Sequence, residues 1–442
     1  MTMLKRIFAT LLVLFLLLIA LPFVLWGLSK WRGASAEDRA ALALMSEPWQ
    51  PAGRNAFADF WLADYPVPEA ERQALLDADV RLFEQQGKDY QRAPTAAEKW
   101  PSEPLSDEDK AMFCQLRDES ICLATVRQDL PSFAALVARH EARIRRIEAA
   151  SAGDYILSPF PEIYNKPFLD MRLSYLPATR YAVQFAQGDK QMALASVCAR
   201  IVDWRRLGTH SGGLFEAVLA IESSGKGYGQ LALAMLTELP ADMPLPTACE
   251  QAFAQPLEEE ASLCNAMRGE FRFVSEAAWP ELEAEFKARG EDINNYPFFD
   301  KDMTRADMAA RFAPYCQPEN IRRWHEDKSV VTRAYFWPGM LRLSCAANYI
   351  GCVLGGVVQP DYDKYSRRLI DRNALLRLMG GVAWLRGQPE LLANPENIPA
   401  AMPQAYRLGE RALGFDAQKQ MLVLTSTTGG QTWATPLPAS RL

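Results

Sequence analysis

Glu222, Ser223 and Lys226 are the residues whose types and spacing come nearest to a reacting group in this chain. They lie in Glu222-Ser223-Ser224-Gly225-Lys226, where helical spacing places a carboxyl, a hydroxyl and an amine on one turn. An amine beside a serine lowers the cost of removing the hydroxyl proton and so activates a nucleophile. A glutamate in apolar surroundings keeps its proton to higher pH and can act as a general acid. The same stretch suits a quieter role, because Ser223, Ser224 and Gly225 are small and let a helix pack closely. Short motifs recur freely without such chemistry, and close packing is the preferred reading.

Other chemistry finds less support. His140, His210 and His325 are dispersed, no His-Glu-x-x-His or Cys-x-x-Cys occurs, and no metal site is expected. Gly225-Lys226 lacks the preceding glycine of a phosphate loop, and no cofactor is expected. Gly208-Thr-His-Ser-Gly212 puts its serine one position off a nucleophile elbow. Glu258-Glu259-Glu260 reads as a solvated face, His325 as a solvated residue and His140 as a boundary of the core.

Two family resemblances attach to the Glu222 stretch. Ser223-x-x-Lys226 resembles the nucleophile motif of penicillin-binding enzymes, whose companion Ser-x-Asn and Lys-Thr-Gly motifs this chain lacks. Glu222-Ser223, followed by Gly229-Gln230, resembles the catalytic Glu-Ser of helical lytic transglycosylases. Either resemblance implies an enzyme acting on cell-wall glycan or peptide, with Glu222 as acid or Ser223 as nucleophile helped by Lys226.

The element that must position everything else is at the start. After Lys5 and Arg6, residues 7–28 carry no charge and make a helix roughly 33 Å long at about 1.5 Å per residue, enough to span a bilayer core. A cleaved signal peptide has a shorter apolar core, so a retained anchor is favoured even though Ala34-Ser35-Ala36 resembles a cleavage site. Trp26 and Trp31 bracket the far end, where amphipathic rings prefer the membrane–water interface. Basic residues flank both ends, so the short leading tail of residues 1–6 decides the expected orientation, tail in the cytoplasm and body outside. In a bacterium that places the body in the periplasm, on an inner membrane crossed once.

Residues 1–32 hold Lys5, Arg6, Lys30 and Arg32 and no acid. The remainder, with 44 of the 48 Lys+Arg and all 54 Asp+Glu, carries a formal charge of −10. That balance argues against a nucleic-acid partner. Eight cysteines allow 105 pairings, of which Cys114–Cys122 is expected, with the polar Arg117–Ser120 turning the chain back between them. Cys345 and Cys352 on one helix would lie about 10 Å apart, too far to bond each other. Cys198, Cys345 and Cys352 read equally well as buried thiols.

The pattern predicts a mainly α protein. Residues 29–105 form juxtamembrane helices and a Pro-rich linker, 106–410 a helical body, and 411–442 a C-terminal β-hairpin tail. Ser35 and Ser106 are expected N-caps, and 131–153 one helix. The pair 178–186 and 190–207 around Gly188-Asp189 resembles a tetratricopeptide hairpin. Helices are also expected at 214–239, at 343–358 as a buried core helix, and at 365–386, broken at Gly380-Gly381. The aromatic stretches 294–300 and 335–338 read as core anchors near turns. The overall layout resembles single-pass, helix-rich envelope proteins of Gram-negative bacteria, a resemblance that implies no activity. The leading expectation is a membrane-anchored periplasmic interaction or scaffold protein without catalysis. It would meet the membrane through residues 7–28 and another envelope protein through its body, with the cell-wall enzyme as the alternative.

Overall fold

Side-chain caps set the starts of several helices. Ser35 accepts from the Asp38 N–H (3.1 Å), Ser106 from Asp109 (3.0 Å) and Asp300 from Met303 (3.0 Å), each satisfying a donor that the first turn leaves unpaired. The computed structural model describes residues 2–90, 95–102, 105–114, 121–163, 165–170, 174–240, 242–328, 342–357, 362–407, 409, 411, 413–427 and 432–438. Over these residues the chain is mainly helical, with a small three-stranded antiparallel sheet near the C-terminal end.

The Thr2–Arg32 helix is long and apolar enough to cross a membrane, and most of its described large apolar side chains between Ile7 and Leu28 are exposed, Trp26 being half-buried. Its C-terminal turns touch the body. Trp26 Nε1 donates to Pro297 O (2.6 Å), Ser29 accepts from Ala347 N (3.1 Å), and Lys30 pairs with Asp300 (2.8 Å).

Beyond it, two helices organise the core. Leu214–Glu222 sends Leu214, Ala217, Val218 and Ile221 into one apolar cluster and Leu219 and Ala220 into another. Asp363–Leu385 does the same, with Leu369 and Ile370 in the first cluster and Ala374 to Leu385 in the second. Leu214–Glu222 is apolar over most of its circumference and must be enclosed by protein, and Asp363–Leu385 is enclosed together with polar side chains such as Asp371 and Arg372. The expected break at Gly380-Gly381 does not occur. A Cβ on Gly380 would lie 2.6 Å from the Tyr406 ring, so the glycines admit a close neighbour within a continuous helix.

Other expected helices do break. Residues 131–153 divide into Leu130–Arg139 and Glu141–Ser151 at His140, which is buried with Nε2 2.9 Å from Asp109. Residues 343–358 divide at Asn348 into Leu343–Ala347 and Tyr349–Val357. Asn348 Oδ1 accepts from Asp300 N (2.9 Å) and Thr304 Oγ1 (3.0 Å), and a Cβ on Gly351 would meet Thr304 at 1.9 Å. These bonds to a distant segment hold Asn348 outside helical geometry, at φ −131° and ψ 41°, and the first helix ends there.

That break corrects the cysteine expectation. Cys345 and Cys352 are bonded, with Cα atoms 5.8 Å apart, because they no longer share a straight helix. Cys114–Cys122, Cys198–Cys249 and Cys264–Cys316 are also at bonding distance, so none of the eight is a thiol. The turn at Arg117–Ser120 lies outside the described residues, as does 335–338.

Part of the Pro-rich linker is bound to the body. Buried Asp79 accepts from Trp61 Nε1 (2.7 Å) and from Thr95 N (2.6 Å). The C-terminal hairpin gains a third strand, in the order β1 (Gly414–Asp416), β2 (Met421–Thr425) and β3 (Thr432–Pro436). Leu422 pairs with Thr435 and Leu424 with Trp433, and Leu422, Leu424 and Trp433 are buried in the larger core. Asp371 pins the sheet's end, accepting from Ser426 Oγ (2.6 Å), Thr427 N (2.9 Å) and Arg411 NH1 (2.7 Å).

In a chain-entropy account, closing a loop of about fifty residues is worth roughly 4 kcal/mol and one of about seven roughly 2.5 kcal/mol. Replacing Cys198 and Cys249, 51 positions apart, should therefore lower the urea midpoint more than replacing Cys345 and Cys352, seven apart. Equal shifts in the detergent-solubilised chain would contradict that ranking.

Candidate functional site

The Glu222 stretch is a π turn, Ser223–Gly227, between the Leu214–Glu222 and Tyr228–Glu238 helices. Such a bulge adds a residue to the turn and often accompanies functional sites. Here it buries Ser223 and Ser224 completely. Ser224 Oγ donates to Ala220 O (2.7 Å), and Ser223 Oγ is buried without a hydrogen-bond partner. Lys226 Nζ lies 3.7 Å from Glu222 Oε2, and Arg368 lies 3.6 Å from Glu222 Oε1.

Glu222 and Lys226 thus meet, but as an ion pair along the helix. A general acid wants a dry apolar pocket, whereas Glu222 sits between two cations. A nucleophile must be reachable, whereas Ser223 is fully enclosed. The arrangement favours packing: Gly225 brings the turn close to Arg372, where a Cβ would stand 3.1 Å from the arginine Cγ.

A groove of about 500 Å³ opens elsewhere, at the end of the Lys190–Thr209 helix. Thr209, His210 and Ser211 line one side with Trp49, whose ring meets Tyr155 edge-on at 6.3 Å. Glu258, Glu259, Ser262, Asn265 and Ile321 line the other, beside Cys264 of the Cys264–Cys316 bond. Short bridges hold the first wall: Ile156 N donates to His210 O (3.0 Å), and Gly212 N to Ile156 O (2.8 Å). Ser211 Oγ donates to Leu207 O (2.6 Å), which commits its hydroxyl to the helix end and not to His210. Trp49, Ser262, Asn265, Glu258 and Glu259 all contribute to this lining, which is apolar over most of its accessible area.

The acidic run corrects its expectation. Glu258 and Glu259 reach the groove, but Glu260 is largely buried, with Arg205 Nε and NH2 each donating to it at 2.8 Å and Arg372 3.5 Å away. His325 is also partly enclosed, its Nε2 2.9 Å from Pro256 O. Sequence reading passes over the groove because its lining comes from five separate stretches with no shared motif.

A second group has shifted protonation. Glu216, third in its helix, folds back over Gly213 and is buried, and that burial raises its pKa. Burial also raises Glu270, with the charges of Glu162 and Glu216 adding to it, although Tyr362 donates to it at 3.0 Å. Lys166 pairs with Glu162 at 2.9 Å and opposes the rise at both carboxyls. Among the described residues no group of His, Cys, Asp and Glu is arranged to hold a metal ion.

Comparison with family models, curated proteins and solved structures finds no match.

Two measurements follow from this geometry. Ser223→Ala removes a buried hydroxyl that has no partner, so stability should stay level or rise by up to about 1 kcal/mol. A clear loss in the unfolding midpoint would reveal a bond that the geometry does not show. Glu270 binds its proton more tightly folded than unfolded, so it costs nothing below its ordinary value of 4.5 and destabilises increasingly as pH climbs toward its raised folded value. Glu270→Gln should accordingly flatten the fall of Tm between pH 4 and 7, whereas an unchanged slope would remove Glu270 as its source.

Proposed function

We propose that this protein is a single-pass, membrane-tethered interaction or scaffold protein of the bacterial envelope, its helical body on the periplasmic side of the inner membrane. The observation that carries the reading is the pairing of all eight cysteines in a chain that begins with a helix able to span a bilayer. Disulfides persist in oxidising compartments, which fits a body outside the cytoplasm. The helical pair Leu176–Ala186 and Lys190–Thr209, which resembles a tetratricopeptide hairpin, would help present the groove beside Trp49 and His210. Its carboxylates and tryptophan face suit an extended, basic segment of another envelope protein.

The enzyme alternative, a cell-wall hydrolase or transglycosylase at Glu222 or Ser223, draws less support. It needs an open approach to a hydroxyl that is enclosed.

Placement and role can be tested with one reporter set. Met192 is 58% exposed, so Met192→Cys supplies a single reactive thiol. A membrane-impermeant maleimide should label it in intact spheroplasts; labelling only after lysis would reverse the orientation. A photocrosslinker at Asn265 should give an adduct that Glu258→Lys with Glu259→Lys abolishes, while one at Met192 should not. Adducts insensitive to those charges would remove the groove from the proposal.

A further inference from the structure

The end of the membrane helix is held against the body at a depth that can be read from hydrogen bonds. Lys30 pairs with Asp300, and four residues nearer the bilayer Trp26 Nε1 donates to Pro297 O. Four helical residues span about 6 Å. The chain from Pro297 to Asp300 therefore climbs alongside the helix, with Pro297 at the level of Trp26. The same tryptophan is the residue type that settles among lipid headgroups.

Side chains at that level are apolar and uncovered. Phe298 is 49% exposed and Tyr349 53%. Tyr349 is held next to Phe298, because Ile350 N donates to Phe298 O (3.0 Å). Behind them the loop is rigid: Trp279, Ile293 and Phe299 form a small separate core, with Trp279 and Phe299 stacked at 5.3 Å. The Cys345–Cys352 bond fixes the two short helices that carry Tyr349. A rigid platform holds both aromatic rings outward beside the C-terminal turns of the apolar helix.

We propose that Phe298 and Tyr349 form a second membrane contact, a collar around the anchor that seats the body on the bilayer interface. Lipid is its occupant, because the hydrogen bond to Trp26 sets the loop's depth and the collar is continuous with the spanning helix. The inference rests on residues 7–28 being an anchor. Aromatic rings at the interface would add a fixed orientation to what a lone helix leaves free to swing.

The test uses the full chain in vesicles of phosphatidylcholine and phosphatidylglycerol, with an environment-sensitive dye on one added cysteine at a time. At Leu17→Cys the dye reports the bilayer interior, and at Met192→Cys it reports water. At Phe298→Cys emission should be blue-shifted from Met192→Cys and quenched more by headgroup nitroxides than by mid-chain ones. Emission matching Met192→Cys, with Leu17→Cys still in lipid, overturns the collar and leaves the anchor standing. Leu17→Cys in water removes the anchor itself. A blue shift that lipid nitroxides do not quench assigns the patch to a protein partner and also overturns the proposal. The unaltered protein gives an independent readout: a lipid carrying a diazirine near its glycerol should form adducts at Phe298 and Tyr349, and adducts confined to residues 7–28 count against it.

Discussion

Glu260 accepts two hydrogen bonds from Arg205 and faces Arg372, and three separate chain segments meet at this buried group. Arg205 lies on the Lys190–Thr209 helix and also donates to the carbonyls of Gln251, Ala252 and Ala254, closing the end of a neighbouring helix. Arg372 lies on Asp363–Leu385, one of the two helices that both apolar clusters share. Burial alone would raise the Glu260 pKa, yet the Arg205 hydrogen bond and the two positive charges hold it below the usual carboxylate value. Burial pushes Arg372 down to about 10, which leaves it charged at neutral pH. Once such a carboxylate is enclosed, both guanidiniums must stay near it, since an unpaired buried charge costs several kcal/mol. The positions of three chain segments are thereby coupled.

A similar network joins the N-terminal part to the body. Arg342 donates to both carboxylate oxygens of Asp38 at 2.7 Å and to Asp307 at 3.0 Å, and Arg311 pairs with Asp307 at 2.9 Å. Asp38 and Asp307 are buried, so these pairs are shielded from salt far better than surface ones. The Ala36–Met45 helix that follows Thr2–Arg32 is therefore not a loose stalk. With Lys30 on Asp300 and Ser29 on Ala347, it ties the orientation of the Thr2–Arg32 helix directly to the folded part. The proposed collar depends on this stiffness.

The candidate site was legible only in part. Glu222, Ser223 and Lys226 stand out in sequence because chemistry-bearing types cluster there, yet the π turn that joins them buries the serine and pairs the two charges. The groove shows the opposite case. His210 and Glu259 lie 49 positions apart and neither sits in a motif, so only the packing of helix ends makes them neighbours. Glu260 carries no mark that separates it from Glu258 and Glu259, although one faces two buried arginines and the others face solvent.

Local features could be read from the chain itself. The uninterrupted apolar run of residues 7–28, the caps at Ser35 and Ser106 and the strand alternation of 421–436 each depend on neighbours a few positions away. The mainly helical class follows from that same short-range periodicity. Three of the four cysteine partnerships, the break at Asn348 and the continuity through Gly380 were settled by tertiary contacts, whereas Cys114–Cys122 was expected from the sequence. Asn348 ends a helix because Thr304 and the Asp300 backbone are there to bond it, and Gly380 continues one because Tyr406 presses on its bare face. A residue's own preference amounts to about 1 kcal/mol, and a buried partner from a distant segment readily outweighs it.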